Sequence, residues 1–354
     1  MAYSDIKDPS AHFQALTYTG NGTTTNNVTN TGNSNLQPDW VWIKQRSATQ
    51  DHVVTDSSRD GEVASGTNLV LTSNTSEAEA SSTGFGINYA TNGINFDAAW
   101  AKVNASGQTY VAWQWKVNGG TTSSNTDGTI TSTVQANTDA GFNIVTYTGN
   151  GSNSNFAHGM GEQPDMVIVK NRDSAANWCV WHKDLTSSYY LQLDTTSSQQ
   201  TGPWDGLDPN SGVVFVYSGG LVNASGSDYV AYIFKGKQGY SKFGKYFGSG
   251  GTGITAPFIY TGFKPAFILH KCSTSGRAWY LYDTKRLGYN GGNGYLQAQD
   301  TDAESSNSVL DITSNGFKLR TTSTQMNQSG ATFIYMAFAE NPFTTSTGIP
   351  TTAR

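Results

Sequence analysis

Cysteine is scarce in this 354-residue chain, charged side chains make up only 13% of it, and no apolar run is long. Each shortage closes off a class of protein. Two cysteines, Cys179 and Cys272, cannot staple a disulfide scaffold or build a cysteine-rich metal cluster, and both read as reduced structural residues. A formal net charge of −5 with a pI near 5.5 supplies no basic field for counterion release from a polyphosphate, so nucleic acid is not expected as a partner. An anionic membrane is equally unattractive. No apolar stretch approaches the roughly 18 residues that span a bilayer, and Met1 to Lys7 lacks the charged and apolar regions of a signal peptide. The expectation is a soluble compartment without membrane insertion. A sustained i, i+3, i+4 apolar stripe is missing too, which predicts little helix.

What is abundant is Gly (39), Tyr (18), Phe (16) and Trp (9). Aromatic and β-branched residues suit pleated surfaces, while Gly and Asn tolerate the positive φ of tight turns. The composition predicts short strands joined by tight turns.

The chain also repeats itself, which fixes architecture before any motif is weighed. Thr17-Tyr18-Thr19-Gly20-Asn21-Gly22 returns as Thr146-Tyr147-Thr148-Gly149-Asn150-Gly151, and in worn form as Lys245-Tyr246-Phe247-Gly248-Ser249-Gly250. A proline followed by an apolar strand ending in lysine recurs from Pro38 to Lys44, Pro164 to Lys170 and Pro265 to Lys271. Proline is tolerated at the first residue of a strand. Counting on from each lysine, the eighth residue is His52, Trp178 or Trp279, the twelfth is Asp56, His182 or Asp283, and the fifteenth is Arg59, Leu185 or Arg286. The unit closes with Val103 to Lys116, repeated at Val222 to Lys235 and more loosely at Asn327 to Phe338. There the Asn-x-Ser-Gly phrase supplies a turn and the alternation after it a half-buried strand.

These repeats predict an all-β chain of three β-sandwich, jelly-roll-like domains in a row. The expected boundaries are 1–118 for the first, 119–239 for a linker strand plus the second, 240–343 for the third, and 344–354 for a flexible tail.

The Pro9, Ser10, Phe13, Tyr18 to Gly22 pattern, Gln37 to Lys44, Thr126 to Val134, Ala140-Gly141-Phe142, Gly239 to Gly244 and Tyr335 to Phe343 form a further set of phrases. They resemble repeat modules of virion and tail proteins from marine and cyanobacterial tailed phages. The resemblance spans nearly the whole chain. It implies a virion structural protein, a tail-fibre, tail-associated or capsid-surface component assembled in the host cytoplasm. Its expected partners are other virion proteins, its expected state a homo-oligomer with a trimer favoured, and host attachment belongs to the same reading. No functional residues come with it.

Chemistry is hard to find in the residues themselves. A glycan depolymerase, the lesser alternative, or any other hydrolase needs paired carboxylates or a nucleophile with an oriented base. Asp56 and Asp283 share a place in two repeats, but the third copy has His182, so strand-end capping or a surface turn accounts for them. The five histidines, His12, His52, His158, His182 and His270, show no metal-ligand spacing. A calcium site could draw on Asn137-Thr138-Asp139 or Asp205-Gly206-Leu207-Asp208, against which stands ordinary turn formation by Asx residues. Gly248 to Gly253 lacks the Gly-Lys-Ser/Thr ending of a phosphate loop and reads as a hairpin or inter-strand loop. No enzyme and no cofactor is expected. A rival reading is a lectin-like protein that grips host cell-surface glycans through aromatic faces. Trp178 has a counterpart in Trp279 and reads as core, whereas Trp181 and Trp204 have none. With Tyr189 they are the candidate glycan or partner contacts.

Overall fold

The computed structural model describes residues 4–61, 64, 66–204, 206–286, 290 and 292–342. The expected tail, 344–354, lies outside them, as does Asp205 of the second calcium candidate. Among the described residues no helix exceeds four residues and none is long and apolar enough to cross a membrane. The chain is all-β, with antiparallel sheets throughout.

Each repeat builds an inner and an outer sheet from the phrases that recur in the sequence. In the first repeat, Phe13–Thr19 pairs with the closing strand Thr109–Trp115, which pairs in turn with the lysine strand Trp40–Gln45 and so with Val53–Asp56. The second repeat has the same order over Phe142–Thr148, Asp228–Phe234, Met166–Asn171 and Cys179–His182. The third has it over Ser241–Phe247, Thr332–Phe338, Phe267–Cys272 and Trp279–Asp283. Outer sheets of Asn26–Thr29, Gly93–Phe96 and Ile87–Ala90, of Ser154–Ala157 and Val213–Val216, and of Phe258–Tyr260, Gly316–Leu319 and Leu310–Thr313 complete the three sandwiches. The first strand pairing with the last, and the second with the next to last, is jelly-roll-like. The middle of each unit departs from that topology by running on as a meander.

The two most recognisable phrases recur because they touch. Asn104, Asn223 and Asn327 are fully buried. Their side-chain oxygens accept from the backbone N–H of Asn21, Asn150 and Ser249 at 2.7–3.0 Å, and their amides donate to the carbonyls of Thr23, Ser152 and Gly251. The turn after the first strand is thereby clipped to the turn before the last. Gly20, Gly149 and Gly248 sit where a Cβ would overlap the carbonyl oxygens of Ala105, Ala224 and Gln328.

The three units do not lie in a row. On the closing strands, Tyr110 and Ala112, Tyr229, Ala231 and Ile233, and Phe333, Tyr335 and Ala337 fill the three separate sandwich interiors. The alternate residues, Val111, Trp113 and Trp115, Val230, Tyr232 and Phe234, and Ile334, Met336 and Phe338, all belong to one central cluster shared by the repeats. The strand that its alternation marks as half-buried is therefore buried on both faces, because the face opposite the sandwich interior meets the other two repeats. Aromatic side chains dominate this centre. Phe142 stacks on Phe234 at 4.5 Å, Trp40 reaches Tyr232 at 4.7 Å and Trp115 at 4.5 Å, and Phe338 contacts Phe13, Trp115 and Phe234. Truncating any of these rings to Ala costs about 3–5 kcal/mol by the measure of other cores. The result is a pseudo-threefold ring of sandwiches in one chain.

Candidate functional site: the junctions between repeats

The lysine that ends each apolar strand is the key to ring closure. Lys44, Lys170 and Lys271 are buried, and each Nζ caps the carbonyl of its own neighbour, Gln45, Asn171 or Cys272, at 2.6–2.9 Å. Each also donates into the loop of another repeat: Lys44 to the carbonyls of Thr301 and Asp302, Lys170 to that of Ser76, and Lys271 to that of Thr196. Burial lowers all three to about 8. The second repeat thus grips the first, the third grips the second, and the first grips the third. A head-to-tail contact repeated by a rotation that closes gives a ring.

The eighth residues follow the same cycle. Trp178 Nε1 donates to Thr72 O at 3.0 Å and Trp279 Nε1 to Gln192 O at 2.8 Å. His52 takes the third place, with Nε2 3.0 Å from Gln297 O. Since Trp42 Nε1 donates to His52 Nδ1 at 2.8 Å, the proton of the neutral ring sits on Nε2 and points at that carbonyl. A backbone bond seals each junction: Glu79 N–H to Arg172 O, Gln199 N–H to Ser273 O, and Glu304 N–H to Arg46 O.

Around this shared frame two junctions carry buried ionic networks. Between the first and second repeats, Asp56 accepts from Arg59 Nε at 2.5 Å and from Tyr232 Oη at 2.8 Å, Arg59 reaches Glu79 at 2.5 Å, and Glu79 pairs with Arg172 at 2.9 Å. Between the third and first, Asp283 accepts from Arg286 Nε at 2.6 Å and Trp113 Nε1 at 2.9 Å, Arg286 reaches Glu304 at 3.2 Å, and Glu304 accepts from Nε and Nη2 of Arg46, each at 2.9 Å. Burial pushes Glu79 up, yet Arg59 and Arg172 together hold it below the ordinary carboxylate range. The equivalent places at the junction of second and third repeats are His182, Leu185, Gln199, Ser273 and, for the aromatic donor, Met336. All five positions change together.

This geometry disposes of Asp56 and Asp283 as a surface turn. Each caps the turn that follows it, accepting from the N–H of Arg59 or Arg286, but both are buried and saturated by donors. A carboxylate so paired is a structural anchor and has no lone pair turned to a substrate. Asn137 holds an Asx turn, accepting from Ala140 N–H, and Asp208 accepts from Trp181, Ser187 and Ser188. Among the described residues no group of three His, Cys, Asp or Glu side chains could hold a metal ion.

The aromatic contact candidates need correction. Trp181 and Trp204 are 2% and 0% exposed and belong to the interior of the second sandwich, so neither presents a ring face to a glycan. They lack counterparts because this sandwich fills its interior differently, not because they serve a surface. Tyr189 is half-buried on Tyr189–Gln192, paired with Thr201. Trp178 and Trp279 are core, as their repetition suggests. Both cysteines are free and buried, and burial pushes the Cys179 thiol up.

Sequence reasoning missed the lysines as clasps and Glu79 and Glu304 as partners of the junction arginines. A lysine repeated near the end of an otherwise largely apolar strand was the available signal. The two glutamates lie at unequal distances from those lysines, in loops of different length, and left none.

A family model described as a domain of unknown function, DUF7483, matches residues 8–342. The chain belongs to that family. Because the match runs across all three repeats, the DUF7483 unit corresponds to the closed ring rather than to one sandwich. No curated protein and no solved structure matches the chain.

Proposed function

We propose that the chain is a structural protein of a tailed-phage particle, a tail-fibre, tail-associated or capsid-surface component that works through assembly and host attachment and catalyses nothing. The phrase-by-phrase resemblance described above supports the phage assignment. The observation that carries the structural role is the ring itself. Three sandwiches share one aromatic centre, and the polar groups at their junctions are spent on one another, which favours a stiff body over a mobile, reactive one. A pseudo-threefold body also suits seating on a symmetric particle, where one chain offers three related faces. The trimer favoured on sequence grounds becomes a proposal about association of whole rings.

Mass spectrometry and immunogold labelling of purified particles of the phage that encodes the chain test this reading. The expected result is stoichiometric presence and a fixed labelling position on tail or capsid. Particles free of the protein contradict it, as does release of reducing ends from host polysaccharide by the purified chain.

A further inference from the structure

The three junctions differ in what covers them. After the first closing strand the chain runs through residues 116–141 before the next repeat begins, and this linker lays Gln135 against Ser57 and Ser58 at the first junction, where Gln135 Nε2 donates to Ser58 Oγ at 2.7 Å. After the second closing strand only residues 235–240 intervene. Nothing of that linker remains to fill the corresponding place, and Ser241–Phe247 stays an edge strand. A groove of about 600 Å³ opens there between the second and third repeats, with Asp165 and Lys183 on one wall, Lys242, Tyr260 and Gly262 on the other, and Lys237 in the connector. That volume falls within the roughly 300–1,000 Å³ of ligand clefts.

Its lining is unusual for an acidic chain. Lys183 shares Asp165 with Lys235, at 3.1 and 3.7 Å, and Lys237 pairs with Glu162. Lys242 has no carboxylate within ion-pair distance among the described residues; its Nζ is held 2.7 Å from Tyr260 O and 5.1 Å from the centre of the Tyr260 ring. Burial and then the facing Lys183 lower its pKa. Lys183 already has Asp165 as its counter-ion, so Lys242 is the cation that faces the groove without a carboxylate partner among the described residues, and an anion entering there is drawn to it. Beside them Tyr260 is 56% exposed, and Phe258, on the same outward face, is 47% exposed. At these two places the first repeat has Thr29 and Asn27 and the second has Ala157 and Asn155.

We infer that this groove binds an acidic oligosaccharide, with a sugar carboxylate or sulfate between Lys183 and Lys242 and a ring face on Tyr260. Charge-assisted hydrogen bonds from the lysines hold the anion. The tyrosine ring offers a flat apolar face to the C–H side of a pyranose. Asp165, buried and accepting from Gly236 N–H at 2.7 Å, fixes Lys183 at the groove and repels a densely charged polyphosphate. The inference gives the attachment part of the proposed function a surface, but its test uses purified protein and is independent of whether the chain is found on particles.

Isothermal titration of the full chain with a galacturonic acid pentamer, a chondroitin sulfate tetrasaccharide and neutral maltopentaose decides it. One salt-sensitive site per chain for at least one acidic probe is expected, with maltopentaose far weaker. Lys242→Gln and Tyr260→Ala should each weaken binding about tenfold, while Arg320→Gln, in another part of the repeat, should leave it unchanged. The inference is overturned by no binding of either acidic probe, by equal binding of maltopentaose, or by binding that neither variant weakens. It is also overturned if inorganic phosphate displaces the sugar and Tyr260→Ala has no effect, since that describes a simple anion site.

Discussion

Two junctions of the ring hold a buried Asp-Arg-Glu-Arg network with an aromatic donor, and the third holds His, Leu, Gln, Ser and Met at the same places. The frame around them is the same in all three: a buried lysine, a ring N–H to a carbonyl, and a backbone bond. Closure therefore does not require the ions. What the ions require is one another, because a buried charge is costly without its partner whereas a wholly neutral set avoids the cost of burial. The five positions behave as one unit, present or absent together.

The largest effect should come from breaking a network halfway. Asp56→Ala strands Arg59 among Glu79 and buried carbonyls, and Asp283→Ala does the same to Arg286. Each should lose about 3–5 kcal/mol in urea unfolding, whereas His182→Ala at the neutral junction should lose less than half as much. Equal losses at the three places would erase the distinction between the junctions.

Acid comes next. Burial is the first cause holding all five histidines below their ordinary value, with His182 and His270 down to about 3. A folded-state value below the unfolded one means that the unfolded chain binds more protons as pH falls past 6.5, so stability is full above that pH and declines beneath it. His182 and His270 alone should remove about 3 kcal/mol between pH 6.5 and 5. Replacing His182, as His182→Gln, should halve that share, and denaturant midpoints measured at the two pH values check it.

The smallest effect should be the most telling. Converting the first junction wholesale to the neutral set, with Asp56→His, Arg59→Leu, Glu79→Gln, Arg172→Ser and Tyr232→Met, should cost under about 2 kcal/mol, less than the single Asp56→Ala change. A five-fold variant less stable than the single one would show that the charges hold the ring closed.

Much of this was legible in the sequence, and the limits are physical. The strands, their order within a repeat and the Asn-x-Ser-Gly turns follow from alternation and turn chemistry, which are local. The ring was not legible, because a strand buried on both faces and one with a single wet face share the same two-residue period. Val111, Trp113 and Trp115 gave a hint, because they are large and apolar on one face while Tyr110 and Ala112 are apolar on the other, which leaves no polar face for solvent. Trp181 and Trp204 misled for the converse reason: an unrepeated aromatic looks like a surface specialisation, yet each repeat fills its own interior. Lys183, Lys242 and Tyr260 are far apart in the sequence and meet only because the connector at residues 235–240 is short.

Closure of three repeats about one shared centre is best tested by small-angle X-ray scattering from the monomeric fraction of the purified chain. A closed ring of this length predicts a radius of gyration of about 20 Å, whereas three such bodies end to end would give about 28 Å. The lower value is the one expected here, and the higher one, in a folded monomer, would contradict the shared core.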